Sequence, residues 1–141
     1  FVAWRRFARW SPWFAIGRIV QAGTRRRMSP AEIAAYDAPF PSGAYKAGAR
    51  AFPALVPITP DDPAVEANRR AWQVLEQWNK PFICCYSDRD PITRGADRPF
   101  REGVPGARHD RHVTLHGGHF IQEDDPQAFA ALIIEECKQS T

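Results

Sequence analysis

Apolar residues recur at helical spacing at both ends of the chain, whereas the middle shows no such periodicity. Ala3, Trp4, Phe7, Ala8 and Trp10 fall three or four positions apart with Arg5, Arg6 and Arg9 on the other side. After a Ser11-Pro12 break, a second apolar patch runs from Trp13 to Val20, so residues 1–28 are predicted to form two short helices. Ser29-Pro30-Ala31-Glu32 has the layout of a capping box with proline in the first helical turn, and it opens a short helix through about Tyr36. Residues 37–63 hold six of the 13 prolines. Residues without a backbone donor exclude a central strand or a long helix, leaving a shaped loop with a helical turn near residues 45–50. Asp62-Pro63 then caps a helix over 64–78 with an apolar stripe of Val65, Trp72, Leu75 and Trp78.

The pattern changes at residue 80. Pro81 to Tyr86 is a short, continuous apolar run closed by Ser87-Asp88-Arg89-Asp90-Pro91, which predicts a strand buried on both faces, as in a parallel sheet. A second strand is predicted over 111–115, followed by Gly117-Gly118-His119. Asp125-Pro126 opens a last helix with Phe129, Leu132, Ile133 and Cys137 on one side. The fold class that follows is α/β.

Composition changes little in this picture. With 44% apolar and 25% charged residues the chain is an ordinary globular sequence, and its apolar runs fall far short of the roughly 20 residues of a transmembrane helix. Three cysteines without small-domain spacing argue against a disulfide framework and for a reducing, cytoplasmic compartment. Cys84, Cys85, Cys137 and the four histidines lack metal-ligand spacing, so no metal and no cofactor is expected. The net charge of +3 hides an asymmetry of +7 in residues 1–30, which hold seven arginines and no acid, against −4 in the remainder. An arginine-rich opening suits a transit peptide, a membrane-surface helix or a nucleic-acid arm. The preferred reading is the wet side of an amphipathic helix in a sequence that begins inside a longer coding region, with neither nucleic acid nor membrane as partner.

Two loops carry the chemistry because each follows a predicted strand, where open α/β sheets present their functional groups. A carboxylate after one parallel strand and His119 after the next can meet at the same sheet edge. The acid then fixes the imidazole tautomer and leaves the second nitrogen as a general base. Asp90 is preferred over Asp88 because it lies farther past the strand. Taken singly, either loop is ordinary turn chemistry. No Gly-x-Ser-x-Gly elbow occurs in residues 1–89, so a nucleophile is expected before Phe1.

These residues resemble the haloalkane dehalogenases of the α/β-hydrolase superfamily, within them the subfamily with a two-tryptophan halide site. The resemblance rests on residues 35–41, 45–50, 52–53 and 55–57 as a helical cap, on Asp90-Pro91-Ile92, and on Gly118-His119-Phe120-Ile121-Gln122-Glu123. It implies the C-terminal part of an α/β-hydrolase fold, with a cap over residues 1–79 and an incomplete parallel sheet over 80–141. It also implies displacement of halide by an aspartate, then hydrolysis of the alkyl ester by water that His119 activates while Asp90 orients the ring. Trp4 is matched to the halide-binding tryptophan of the cap. Phe1, Phe52, Pro53, Val56 and Ile92 are matched to an apolar pocket. The implied partners are a small halogenated alkane, water and halide, the full-length enzyme being a monomer and the fragment inactive. Two rivals stand beside this reading. One is an epoxide hydrolase that uses Tyr36 and Tyr45, and the other is a non-catalytic basic interaction module.

Overall fold

The computed structural model describes residues 1–109 and 111–139. The chain divides into two compact units, one of Phe1–Gln21 with Met28–Trp72, the other of Ala22–Arg27 with Gln73–Thr141. Among the described residues no helix is long and apolar enough to cross a membrane.

The first unit is helical. It begins with α1 (Val2–Trp10) and contains most of α2 (Ile16–Gly23), then α3 (Pro30–Asp37) and α4 (Ala47–Ala51). The capping box forms as the sequence predicts: Glu32 N–H donates to the Ser29 hydroxyl, and Ser29 N–H to the Glu32 carboxylate at 2.6 Å. The core gathers Ala8, Phe14, Val20 and Met28. Trp4, Phe7 and Phe14 pack ring against ring at 5.5–6.2 Å between centroids. α2 lies so close to α3 that a Cβ on Gly17 would sit 2.2 Å from the Ile33 carbonyl oxygen, and Gly17 N–H donates to Asp37.

Trp10 and Trp13 are 72% and 85% exposed, with the Arg9 guanidinium 4.9 Å over the Trp10 ring. One expectation for this unit is corrected. Arg5 is not on a wet side. Its guanidinium donates to the carbonyls of Ala54 and Val56, and so straps α1 to the 3-10 turn Phe52–Leu55. Arg50 behaves likewise: it donates to the Ala8 carbonyl and lies 4.6 Å over the Phe14 ring. The proline-rich segment is therefore held by cations that satisfy backbone acceptors no helix or strand would satisfy.

α5 (Ala64–Leu75) starts where Asp62 accepts the Ala64 N–H and stops three residues before Trp78, as its last hydrogen bonds tighten to i→i−3 spacing. The second unit then builds β1 (Cys85–Ser87), α6 (Arg98–Gly103), β2 (Val113–Leu115), α7 (Ile121–Asp124) and α8 (Pro126–Gln139). β1 and β2 pair in parallel, Cys85 opposite Val113 and Ser87 opposite Leu115. This is a helix-rich α/β chain with a two-stranded parallel sheet, consistent with part of an α/β-hydrolase.

Both strands are shorter than the apolar runs that predict them. Phe82, Ile83, Cys85 and Tyr86 are only half-buried, because β1 has one lateral neighbour among the described residues. Gly106 secures the start of the run. Its N–H donates to the Trp78 carbonyl, its carbonyl accepts from Phe82, and a Cβ there would meet the Lys80 oxygen at 1.8 Å. In α8 the inward face consists of Phe129, Leu132 and Glu136, at i, i+3 and i+7, with Glu136 paired to Arg111 at 3.1 Å. Ile133 and Cys137, expected on that side, are exposed.

Candidate active site

Parallel pairing does not stop where the strands end. Asp88 N–H donates to the Leu115 carbonyl and Arg89 N–H to that of Gly117, so the two loops leave the sheet side by side. The chain after β1 then turns on Asp90, whose Oδ1 accepts the Ile92 N–H at 2.8 Å and closes an Asx-turn. The Thr93 hydroxyl donates to Oδ2, and His119 Nδ1 lies 3.0 Å from the same oxygen.

Asp90 is 3% exposed. Burial by itself pushes its pKa up, but the Thr93 hydroxyl, His119 and the N–H groups of Ile92 and Thr93 outweigh that penalty and lower it to about 2. The carboxyl is thus an anion at neutral pH and can only accept, which requires His119 Nδ1 to carry its hydrogen. Nε2 then holds a lone pair, on a ring whose side chain is one-third exposed. A buried anion fixing a tautomer and leaving the outer nitrogen basic is the arrangement of a general base.

Asp88 is directed elsewhere. Its two oxygens meet His116 Nδ1 at 2.9 Å and the Gly117 N–H at 3.1 Å, and these contacts lower its pKa. His116 is almost fully exposed. The acid that reaches His119 is therefore Asp90.

The histidine loop is anchored from behind. Gly23, in the second unit, accepts the His119 N–H at 2.7 Å, and an added Cβ on Gly118 would stand 2.3 Å from that same carbonyl oxygen. Only glycine permits this approach. Sequence reasoning assigned no role to two residues of this region. Thr93 carried a legible signal, a hydroxyl three residues after Asp90. Asp124 carried less: it accepts N–H groups from Gly118, Arg25 and Arg26.

The remaining expected site residues lie in the first unit, apart from Ile92. Phe1 and Trp4 sit at the start of α1, while Phe52, Pro53 and Val56 lie on the segment that Arg5 ties to that helix. Phe1, Phe52 and Val56 are exposed, Pro53 and Trp4 half-buried. Ile92 belongs to the acid loop and is 63% exposed. Cys84 and Cys85 are free thiols whose pKa burial pushes up, which suits neither for nucleophilic work. Elsewhere in the second unit, a cavity of about 450 Å³ is lined by Arg98, Arg101, Arg108, His109 and His112 among others, and includes none of the expected site residues.

No protein-family model matches the chain. Among known proteins it is 54% identical over 134 residues to the haloalkane dehalogenase of Mycobacterium marinum, covering 95% of this chain and 45% of that protein. Against the haloalkane dehalogenase of Psychrobacter cryohalolentis the identity is 48% over 136 residues, 96% of this chain and 45% of the relative. A more distant haloalkane dehalogenase, from Sphingobium indicum, is 32% identical over 112 residues, 77% of this chain and 36% of its own length. The chain thus spans less than half the length of these relatives.

Proposed function

We propose that this chain, homologous along nearly its whole length to haloalkane dehalogenases, is part of an enzyme that hydrolyses small haloalkanes to alcohol and halide. The observation that carries the reading is the buried Asp90 carboxylate bound to His119 at 3.0 Å, on loops leaving two parallel strands. In this mechanism an aspartate from chain preceding Phe1 attacks the carbon bearing the halogen. A carbon–oxygen bond forms as the carbon–halogen bond breaks, and the halide departs with the bonding electrons. His119 Nε2 then takes a proton from water, and the hydroxide attacks the carbonyl carbon of the alkyl ester. The acyl–oxygen bond breaks, and the alcohol leaves with the proton from His119. Asp90 holds the ring and stabilises its cation.

Trp4 serves the halide, since an indole N–H donates and cannot accept. Its ring is braced by Phe7 and Phe14. Phe1, Phe52, Pro53 and Val56 of the first unit, and Ile92 of the second, are the apolar side chains this reading assigns to the substrate, since apolar surroundings disfavour water as the halide departs. Residues 1–79 act as the cap and 80–141 as the end of the catalytic core, in a monomeric enzyme of the reducing cytoplasm. The use of Arg5 and Arg26 weighs against the basic interaction module, because two of its seven arginines already serve backbone carbonyls.

The test uses the full-length parent and 1,2-dibromoethane or 1-bromobutane. Wild-type protein should release halide over many turnovers. His119→Ala should release about one halide per active site and then stop, with the alkyl group retained on the protein and visible by mass. Halide release that continues unchanged in His119→Ala, or epoxide opening without halide release, would sink the reading.

A further inference from the structure

Asp124 has no local task that explains it. The next residue, Asp125, caps α8 by accepting the Ala128 N–H at 3.2 Å. Asp124 itself ends the turn α7, where a carboxylate faces carbonyl ends rather than donors. Its side chain instead reaches three backbone N–H groups from two separate segments. Oδ2 accepts from Gly118 at 2.7 Å, and Oδ1 accepts from Arg25 and Arg26, each at 2.8 Å. The same short stretch closes on the histidine loop from its other end, for the Gly23 carbonyl accepts the His119 N–H at 2.7 Å. Arg26 completes the clasp with its guanidinium on Glu123, at 2.7 Å to Oε2 and also to the Glu123 carbonyl.

We propose that Asp124 is a positioning residue for His119: one carboxylate knots residues 25–26 to Gly118 and so fixes the backbone that aims the imidazole at Asp90. The geometry is that of a hub. Gly118 lacks a side chain and immediately precedes His119, so without the knot its own backbone would be held only through its neighbours, Gly117 on Asp88 and Arg89 and His119 on Gly23. A carboxylate receiving several backbone donors is also hard to protonate. Burial raises the Asp124 pKa, but the N–H groups of Arg26, Gly118 and Arg25 and the Arg26 charge outweigh it. The knot therefore persists across the neutral range. The consequence for turnover rests on the reading of His119 as general base, whereas the geometric claim does not.

The experiment compares Asp124→Asn and Asp124→Glu with wild type in the full-length protein, by two readouts. The first is the His119 imidazole in ¹⁵N-edited NMR. Wild type should show an Nδ1-protonated ring with a strongly downfield, exchange-protected proton, and Asp124→Asn should lose that signal, the glutamate variant keeping part of it. The second is transient kinetics. Asp124→Asn should slow ester hydrolysis by about ten- to a hundred-fold, on the order expected for a general base displaced by up to 1 Å, with halide displacement little changed, so that alkyl-enzyme accumulates. Should Asp124→Asn not fold, Asp124→Glu carries both readouts. Unaltered imidazole signals, or both chemical steps slowed alike, would overturn the proposal. Absence of halide release in wild type would instead remove the dehalogenase reading and leave the NMR result to decide the role of Asp124.

Discussion

At the scale of single residues, the chemistry depends on how one carboxylate is surrounded. Asp90 is deeply buried yet ionised, because donors from a hydroxyl, an imidazole and two backbone N–H groups compensate its lost hydration. Its folded pKa of about 2 lies below the roughly 3.9 of an unfolded aspartate. The group therefore stabilises the fold above about pH 4, and that contribution, roughly 2 kcal/mol, disappears as the pH falls towards 2. Denaturant titrations of wild type and Asp90→Asn from pH 7 to pH 2 should converge over that window, the variant being the less stable at pH 7. Parallel curves would mean that Asp90 is not held as an anion. In the full-length enzyme the same variant should lose on the order of 10³ to 10⁴ in turnover, since an amide in place of the acceptor favours the other imidazole tautomer.

At the scale of elements, close approach decides which positions tolerate change. Gly17 and Gly48 both occupy helices with ordinary backbone angles, yet their surroundings are opposite. A methyl on Gly17 would run into the Ile33 carbonyl, whereas one on Gly48 would meet nothing within 4 Å beyond its own helix backbone and chain neighbours. Gly17→Ala should therefore destabilise by about 1–3 kcal/mol, the usual cost of overpacking. Gly48→Ala should stabilise by about 0.5–1 kcal/mol through lower entropy of the unfolded chain and better helix propensity. Thermal denaturation of the two variants beside wild type checks both signs, and a destabilised Gly48→Ala would show that α4 is not the exposed helix seen here. Other elements follow more local rules. The capping box at Ser29 and the cap at Asp62 act on donors two or three residues away, so their positions were readable without knowing any tertiary neighbour.

At the scale of the whole molecule, the chain carries the proposed base and its orienting acid, and the proposed nucleophile lies outside it. Large apolar side chains stand exposed in each unit: Trp13 and Phe52 in the first, Val74, Ile92, Ile133 and Ile134 in the second. Surfaces of this kind are expected where further protein covers them. The 141-residue chain by itself should accordingly give no halide release above a protein-free control, while the full-length parent turns over the same bromoalkane; halide electrode readings on the two preparations decide it. Release by the 141-residue chain that His119→Ala abolishes would overturn the expectation that the nucleophile comes from elsewhere.

The amino-acid order alone determined what depends on near neighbours. It showed where helices begin, which apolar run becomes β1, that two loops follow two strands, and that His119 and an aspartate of the 88–90 turn belong to them. These features arise from periodicity, proline and capping, whose reach is a turn or less. Position past the strand already favoured Asp90 over Asp88, but only the tertiary structure gives each its partner, because that depends on how parallel pairing continues past residue 87 and on which oxygen meets which ring across 28 or 29 positions of chain. The same holds for Arg5 on the carbonyls of Ala54 and Val56, for the exposed side of α8, and for Asp124, whose donors lie up to 99 residues away. Hydrogen bonds over such separations leave no period in a sequence. They are made only when the chain has folded and backbone groups left over by loops and helix ends require partners.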